Sequence, residues 1–310
     1  MSAGCQPDDP ERMPTPPNFL VIGAQKSATT SLYAWLRQHP EVYLSPQKEL
    51  EFFSRADLYE RGFSYYCERW FSDVGGAVAI GDVSPQYMMS AVAADRIARH
   101  LPAARLIAVL RNPIERAHSH YLMMRRRGLE ERSFDAAVDE LIEKGVEVRD
   151  ELDDKNYLAG SLYGRVLEGY RCRFADSCLK VVFYEDLSTD PRAQFAEVLT
   201  FLGVDPEFVP RDIGKIYHRG ADTRRFPRFE AWMMQQTGLK RAIKRIVPAA
   251  QLSRLLFWFE TELNVRHSPR AVYEGVSKKT RHRLRDFFLS DVDRLRQLIR
   301  RDVPWGDFRR

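Results

Sequence analysis

Gly23-Ala24-Gln25-Lys26-Ser27-Ala28-Thr29-Thr30-Ser31 joins a short apolar run to a helical pattern, using small side chains, four hydroxyls and one lysine. Unpaired N–H groups at a helix start, together with the positive end of its dipole, favour an anion there, and Lys26 adds a mobile charge. The bland alternative is an ordinary polar strand-to-helix turn. A Walker loop reads GxxxxGK[ST], with glycine just before the lysine and a hydroxyl after it for Mg²⁺. Here Lys26 stands three positions after Gly23, and the small residue Ala28 follows the lysine instead of preceding it.

A second constellation follows Leu106-Ile107-Ala108-Val109-Leu110, which ends in Arg111 where a Walker B strand would place a metal-binding aspartate. Asn112 can cap a helix, Pro113 suits its first position, and Glu115 lies three residues after the cap. Ser119 then sits roughly 9 Å along that helix at about 1.5 Å per residue, within reach of a long arginine. A third cluster is the proline-bounded loop Ser45-Pro46-Gln47-Lys48-Glu49-Leu50-Glu51-Phe52-Phe53, with two carboxylates ahead of two aromatics. In isolation these are either acid–base groups or solvated loop charges. Gly81-Asp82-Val83-Ser84-Pro85-Gln86-Tyr87 brings a further carboxylate to the end of a strand, where open α/β sheets bind ligands. His118 and His120 offer a competing base, with core packing or phosphate-side hydrogen bonds as their other roles.

The KSATTSL and LIAVLRNPIERAHSHY segments resemble the two signatures with which the sulfotransferase family binds 3′-phosphoadenosine 5′-phosphosulfate (PAPS). By that resemblance Lys26, Ser27, Ala28, Thr29, Thr30 and Ser31 cradle the 5′-phosphosulfate, while Arg111 and Ser119 grip the 3′-phosphate. Ala28 replaces the usual glycine, so a Cβ enters a loop that approaches phosphate closely. Ser31 stands where the aryl and steroid branch carries a tryptophan, and the resemblance is closer to the bacterial and carbohydrate branch, from Asn18 to about Phe208. The resemblance implies a glutamate general base ahead of two phenylalanines, and register against Phe52 and Phe53 puts Glu49 on that position, with Lys48 keeping it ionised or binding leaving sulfate oxygens. Asp82 is implied to orient the acceptor, and Val83 replaces a lysine of the heparan sulfate enzymes. Tyr184-Glu185-Asp186-Leu187 resembles a family strand end with no chemistry assigned. Thr223 to Arg228 resembles the segment closing over the nucleotide, Arg224 being the residue implied to reach it.

The elements positioning these groups are short buried strands alternating with helices. Phe19 to Gly23, Ala77 to Ile80, Leu106 to Leu110 and Leu179 to Tyr184 read as strands of a parallel sheet. Helices are expected over Ser133 to Leu152, Gly160 to Phe174, Pro191 to Leu202 and Lys279 to Arg301. The expected fold is a doubly wound parallel α/β sheet, similar to P-loop NTPases, with a helical, basic, strand-free C-terminal third from Arg211. Residues 1–17 read as a disordered tail and residues 18–310 as a single domain.

With 44% hydrophobic and 29% charged residues among 310, the composition is that of a globular enzyme. A net charge of +5 suits an anionic ligand and is too small to argue for nucleic acid. No signal peptide or transmembrane stretch is read, so a cytoplasmic protein is expected. The four cysteines show neither metal-ligand spacing nor a disulfide framework. The resulting expectation is a metal-free transfer from PAPS to a hydroxyl or amine of a small-molecule, lipid or glycan acceptor, releasing adenosine 3′,5′-bisphosphate. A P-loop kinase with a degenerate loop, or a non-catalytic nucleotide- or polyanion-binding module, are the competing readings. Phe63, Tyr65, Tyr66 and Trp70 suit either an acceptor pocket or the core.

Overall fold

Five strands, β1 (Phe19–Gly23), β2 (Val42–Leu44), β3 (Ala79–Val83), β4 (Arg105–Leu110) and β5 (Leu179–Phe183), pair in the order β2-β3-β1-β4-β5. All four pairings are parallel. This computed structural model describes residues 14–150, 153–215 and 275–309, with Thr223–Arg224 and Val265–Arg266 as backbone strands.

All five residues of β1 are buried, as a central strand covered on both faces requires. Alternate side chains serve two cores. Leu20 and Ile22 join Leu106, Ala108 and Leu110 on one face, and Phe19 and Val21 join Ile107 and Val109 on the other. Each fully buried aliphatic side chain contributes about 1.5–3 kcal/mol. Gly81 is required by this packing, because a Cβ there would lie 2.1 Å from the Phe19 ring.

Helix α1 (Thr29–Leu36) follows β1, then α2 (Ala56–Tyr59), α3 (Phe63–Trp70) and α4 (Ala93–His100). Next come α5 (Pro113–Arg126), α6 (Phe134–Lys144), α7 (Tyr163–Arg171), α8 (Tyr184–Thr189), α9 (Pro191–Leu202) and α10 (Lys278–Ile299). As expected, the Asn112 side chain caps α5, accepting from the N–H groups of Ile114 and Glu115. No helix among the described residues is long and apolar enough to cross a membrane.

Several boundaries differ from the sequence reading. β2 is a strand the reading lacks, since three residues are too short to show a period. β3 starts two residues late and continues to Val83, because Val78 is 49% exposed while Gly81, Asp82 and Val83 pair with β1. The charged helix stops at Lys144, where Gly145 adopts φ 79°. Residues beyond Arg211 are not strand-free, as Thr223–Arg224 pairs antiparallel with Val265–Arg266. Ahead of β1, Thr15 N–H donates to Phe71 O at 3.3 Å. Residues 1–13 lie outside the described residues.

Helix α10 belongs to the main core through Leu284, Phe288, Val292 and Leu295. Its Asp291 carboxylate accepts from the N–H groups of Gly164 and Arg165 at the start of α7.

Candidate active site

The carboxyl ends of β1, β3 and β4 meet where the chain switches from one side of β1 to the other. Ala24 N–H donates to Val109 O at 2.7 Å, which folds the phosphate-type turn over β4. Gly23 passes so close to Met88 that a Cβ would lie 2.4 Å from its sulfur. Lys26 and Ala28 both occupy the left-handed region, at φ 74° and 67°. Each costs about 1–2 kcal/mol for a residue with a Cβ, strain of the sort concentrated at ligand loops.

Ala28 is the N-cap of α1, which has neither a side-chain cap nor an acidic residue in its first turn. A helix's first N–H groups have no partner within the helix. Ser27 is fully buried, yet its Oγ has no hydrogen-bond partner among the described residues. An orphaned hydroxyl beside an uncapped helix start fits a phosphate or sulfate oxygen.

Lys26 Nζ lies 3.9 Å from Met123 Sδ on α5, and Arg111 Nη1 donates to Lys26 O at 3.4 Å. Burial pushes the Lys26 ammonium down to about 7, with Arg126, Arg127 and more weakly Arg111 acting the same way and Glu49 opposing. An anion arriving here would restore its charge. Arg111 also lies over the Tyr184 ring, 4.9 Å from its centroid. Ser119 sits on α5 and is only 7% exposed, so it is not a solvated helix serine. Arg224 falls on the Thr223–Arg224 strand, and residues 225–228 lie outside the described residues.

The Glu49 loop runs along β3: Ser45 N–H donates to Gly81 O and Glu49 N–H to Val83 O. Phe52 and Phe53 anchor it, both fully buried, with Phe52 stacked 4.5 Å from Tyr66 and Phe53 edge-on to Tyr87 at 5.6 Å. Glu49 pairs with Lys48 through Oε1, and Gln86 Nε2 donates to Oε2 at 2.8 Å. The Glu49 side chain remains 38% exposed, which leaves it reachable by an acceptor. Glu51 is also half-buried, and burial, then the Glu49 charge, pushes its carboxyl up to about 7. Tyr66 and Trp70, weighed as acceptor contacts, lie in the core.

Asp82 takes a different place from the one implied by the resemblance. It is fully buried and accepts from Tyr66 (2.9 Å), Tyr87 (2.6 Å) and Ser84 (2.7 Å). Burial raises its pKa while these three bonds oppose the rise. Such a carboxylate cannot touch an acceptor. Its reach is indirect, because Ser84 Oγ also accepts the Glu51 N–H at 3.2 Å. His118 packs against Tyr121 and Phe134. His120 is fully buried against Tyr157, and burial with the Arg116, Lys26 and Arg127 charges holds its ring neutral.

Gln86 and Ser84 are the residues that sequence reasoning missed. Their neighbour Asp82 was legible, but nothing in the order of residues pairs Gln86 with a glutamate 37 positions earlier.

This anion-shaped turn, with an arginine from the adjacent strand and a carboxylate facing it, sits on a parallel sheet whose residues 16–219 match the sulfotransferase domain family. The chain belongs to that family, whose chemistry is sulfuryl transfer. Among its relatives is the human bifunctional heparan sulfate N-deacetylase/N-sulfotransferase 3, 33% identical over 202 residues, covering 62% of this chain and 23% of that protein. The membrane-associated sulfotransferase kil1 of Dictyostelium discoideum is 35% identical over 107 residues, covering 34% of this chain and 22% of that protein. The chain thus spans less than a quarter of the length of these curated relatives. The crystal structure of a sulfotransferase from Alicyclobacillus acidocaldarius matches with a TM-score of 0.65 and 26% identity, covering 93% of this chain and 98% of that one.

Proposed function

We propose that this chain, acting as one domain over residues 18–310, transfers the sulfuryl group of PAPS to a hydroxyl or amine of a small-molecule, glycan or lipid acceptor. The observation that carries this reading is that Lys26, next in the chain to the orphaned Ser27 hydroxyl, has Arg111 bonded to its carbonyl and lies within the fields of Arg111 and Glu49. The Ser27 to Ser31 turn and Lys26 hold the 5′-phosphosulfate, while Arg111 and Ser119 hold the 3′-phosphate, with Arg224 closing over the nucleotide. PAPS supplies an activated sulfur joined to a phosphate leaving group.

Glu49 takes the acceptor proton as the acceptor oxygen or nitrogen bonds to sulfur and the bond from sulfur to the 5′-phosphate oxygen breaks. Adenosine 3′,5′-bisphosphate leaves. Lys26 and the turn's N–H groups stabilise the charge growing on the leaving phosphate, as preorganised donors do. Lys48 and Gln86 hold the Glu49 carboxylate. Asp82 acts as a positioning residue beneath the loop.

The kinase reading needs an open acid near the phosphates. Both Asp82 oxygens are engaged by hydroxyls, and β4 leads into Arg111. The test is binding followed by transfer. Adenosine 3′,5′-bisphosphate at about a hundred times its Kd should stabilise the fold by about 2.7 kcal/mol, with ATP and Mg²⁺ doing little. Label from [³⁵S]PAPS should then pass to an acceptor in a panel of glycans, lipids and phenols. Equal stabilisation by both nucleotides would favour the kinase, and 3′-phosphate binding without transfer to any acceptor would favour a non-catalytic module.

A further inference from the structure

The turn that follows β4 is held from several directions. Tyr163 OH donates to Arg111 O at 2.9 Å. The next backbone N–H, that of Asn112, donates to Glu185 Oε1 at 2.9 Å. The other oxygen of the same carboxylate accepts the Trp305 indole N–H at 3.0 Å. The Asn112 side chain caps α5 and donates its amide N–H to Asp307 at 2.8 Å, and Asp307 is paired with Arg281 of α10 at 2.8 Å. Trp305 is 1% exposed and packs edge-on to Phe183, at the end of β5. Tyr184, whose ring lies under the Arg111 guanidinium, is the residue before Glu185.

Glu185 therefore links the backbone at Arg111 to a C-terminal segment that lies beyond residues 16–219, the part matched by the family. A flexible arginine grips an anion well only if its ordering cost is met before the ligand arrives. Fixing both polar groups of the peptide that follows its Cα, and laying its head on Tyr184, does this. We propose that Glu185, braced by Trp305, is a positioning residue for Arg111, so that the C-terminal segment sets the selectivity of this chain for a phosphate on the ribose 3′ position. The inference rests on the reading of Arg111 as the 3′-phosphate grip.

The test compares Kd values for adenosine 3′,5′-bisphosphate and adenosine 5′-monophosphate by calorimetry, using the full chain and its E185Q, W305F and R111A variants. E185Q turns one acceptor oxygen into a donor facing a donor. W305F keeps an aromatic ring and removes the indole N–H, so it carries the test if E185Q melts below the assay temperature. The preference for the 3′-phosphorylated ligand should fall about tenfold in both, the size of one lost charge-assisted hydrogen bond, while the monophosphate Kd changes less than about twofold. A purely structural role would weaken both ligands alike or lower the melting temperature with the preference intact, and either result overturns the proposal. If R111A keeps the preference, the reading of Arg111 itself fails. If R111A loses it and both E185Q and W305F keep it, only the positioning inference fails.

Discussion

Gln86 Nε2 donates to Glu49 Oε2 at 2.8 Å, bringing an amide from the turn after β3 onto the carboxylate proposed to take the acceptor proton. Gln86 is itself 7% exposed, so its amide is held by packing and serves as a fixed donor. Glu49→Gln should leave donor affinity nearly intact and slow turnover by about 10²–10⁴-fold, the range for loss of a general base. Gln86→Leu removes only the orienting bond and should lower kcat about tenfold, a loss of one hydrogen bond to a charged group. Both are measured at saturating PAPS and acceptor, so that kcat is not confused with occupancy. Unchanged turnover in Glu49→Gln would move the base to another residue.

Lys26 titrates near 7 against an ordinary 10.5, so above neutrality the free protein carries it uncharged. A bound phosphosulfate or bisphosphate favours the ammonium and should raise that value. Binding should then take up a proton above pH 7, and affinity should fall as pH climbs from about 7 toward 9. Calorimetry in buffers of different ionisation enthalpy reads the uptake directly, and Lys26→Met should abolish it. The sign for stability is the reverse: between 7 and 10.5 the unfolded chain binds the extra proton, so stability from this group rises with pH. Lys26→Met should therefore be more stable than the parent at pH 6, with the gap closing toward pH 10.

Glu51 gives the opposite dependence. Its carboxyl is pushed from 4.5 up to about 7, chiefly by burial and then by Glu49. The folded protein holds that proton through the window in which the unfolded chain has lost it, so stability drains away as pH rises from about 4.5 through 7. Glu51→Gln should match the parent at pH 4 and exceed it at pH 8 in urea melts. A gap that is the same at both pH values would show that this carboxyl does not titrate late.

Ala28 at φ 67° bears left-handed strain of about 1–2 kcal/mol, and glycine would relieve it at an unfolded-state entropy cost of about 0.5–1 kcal/mol. Ala28→Gly should raise stability by up to about 1 kcal/mol in denaturant melts, without loss of nucleotide affinity. A destabilised variant would mean the Ala28 methyl is making contacts worth more than the strain.

The small-residue turn after β1, the arginine following β4 and the capped start of α5 were legible in the sequence because each is local. A buried strand, a small-residue turn and an Asn-Pro cap announce themselves within a few residues, through backbone geometry that neighbours in the chain impose. The pairings that hold these side chains together are not local. Gln86 reaches Glu49 across 37 residues, Asn112 reaches Glu185 across 73 and Glu185 reaches Trp305 across 120. These contacts depend on strand order and register: β3 pairs with β1 at Val21 and Val83, and the Glu49 loop then hangs from the Val83 carbonyl. The same register turns Asp82 inward beneath three hydroxyls, although its position in the sequence reads as a site carboxylate. A side chain's face in a strand follows from pleat and pairing, and the depressed Lys26 and elevated Glu51 follow from burial, which only the packed chain decides.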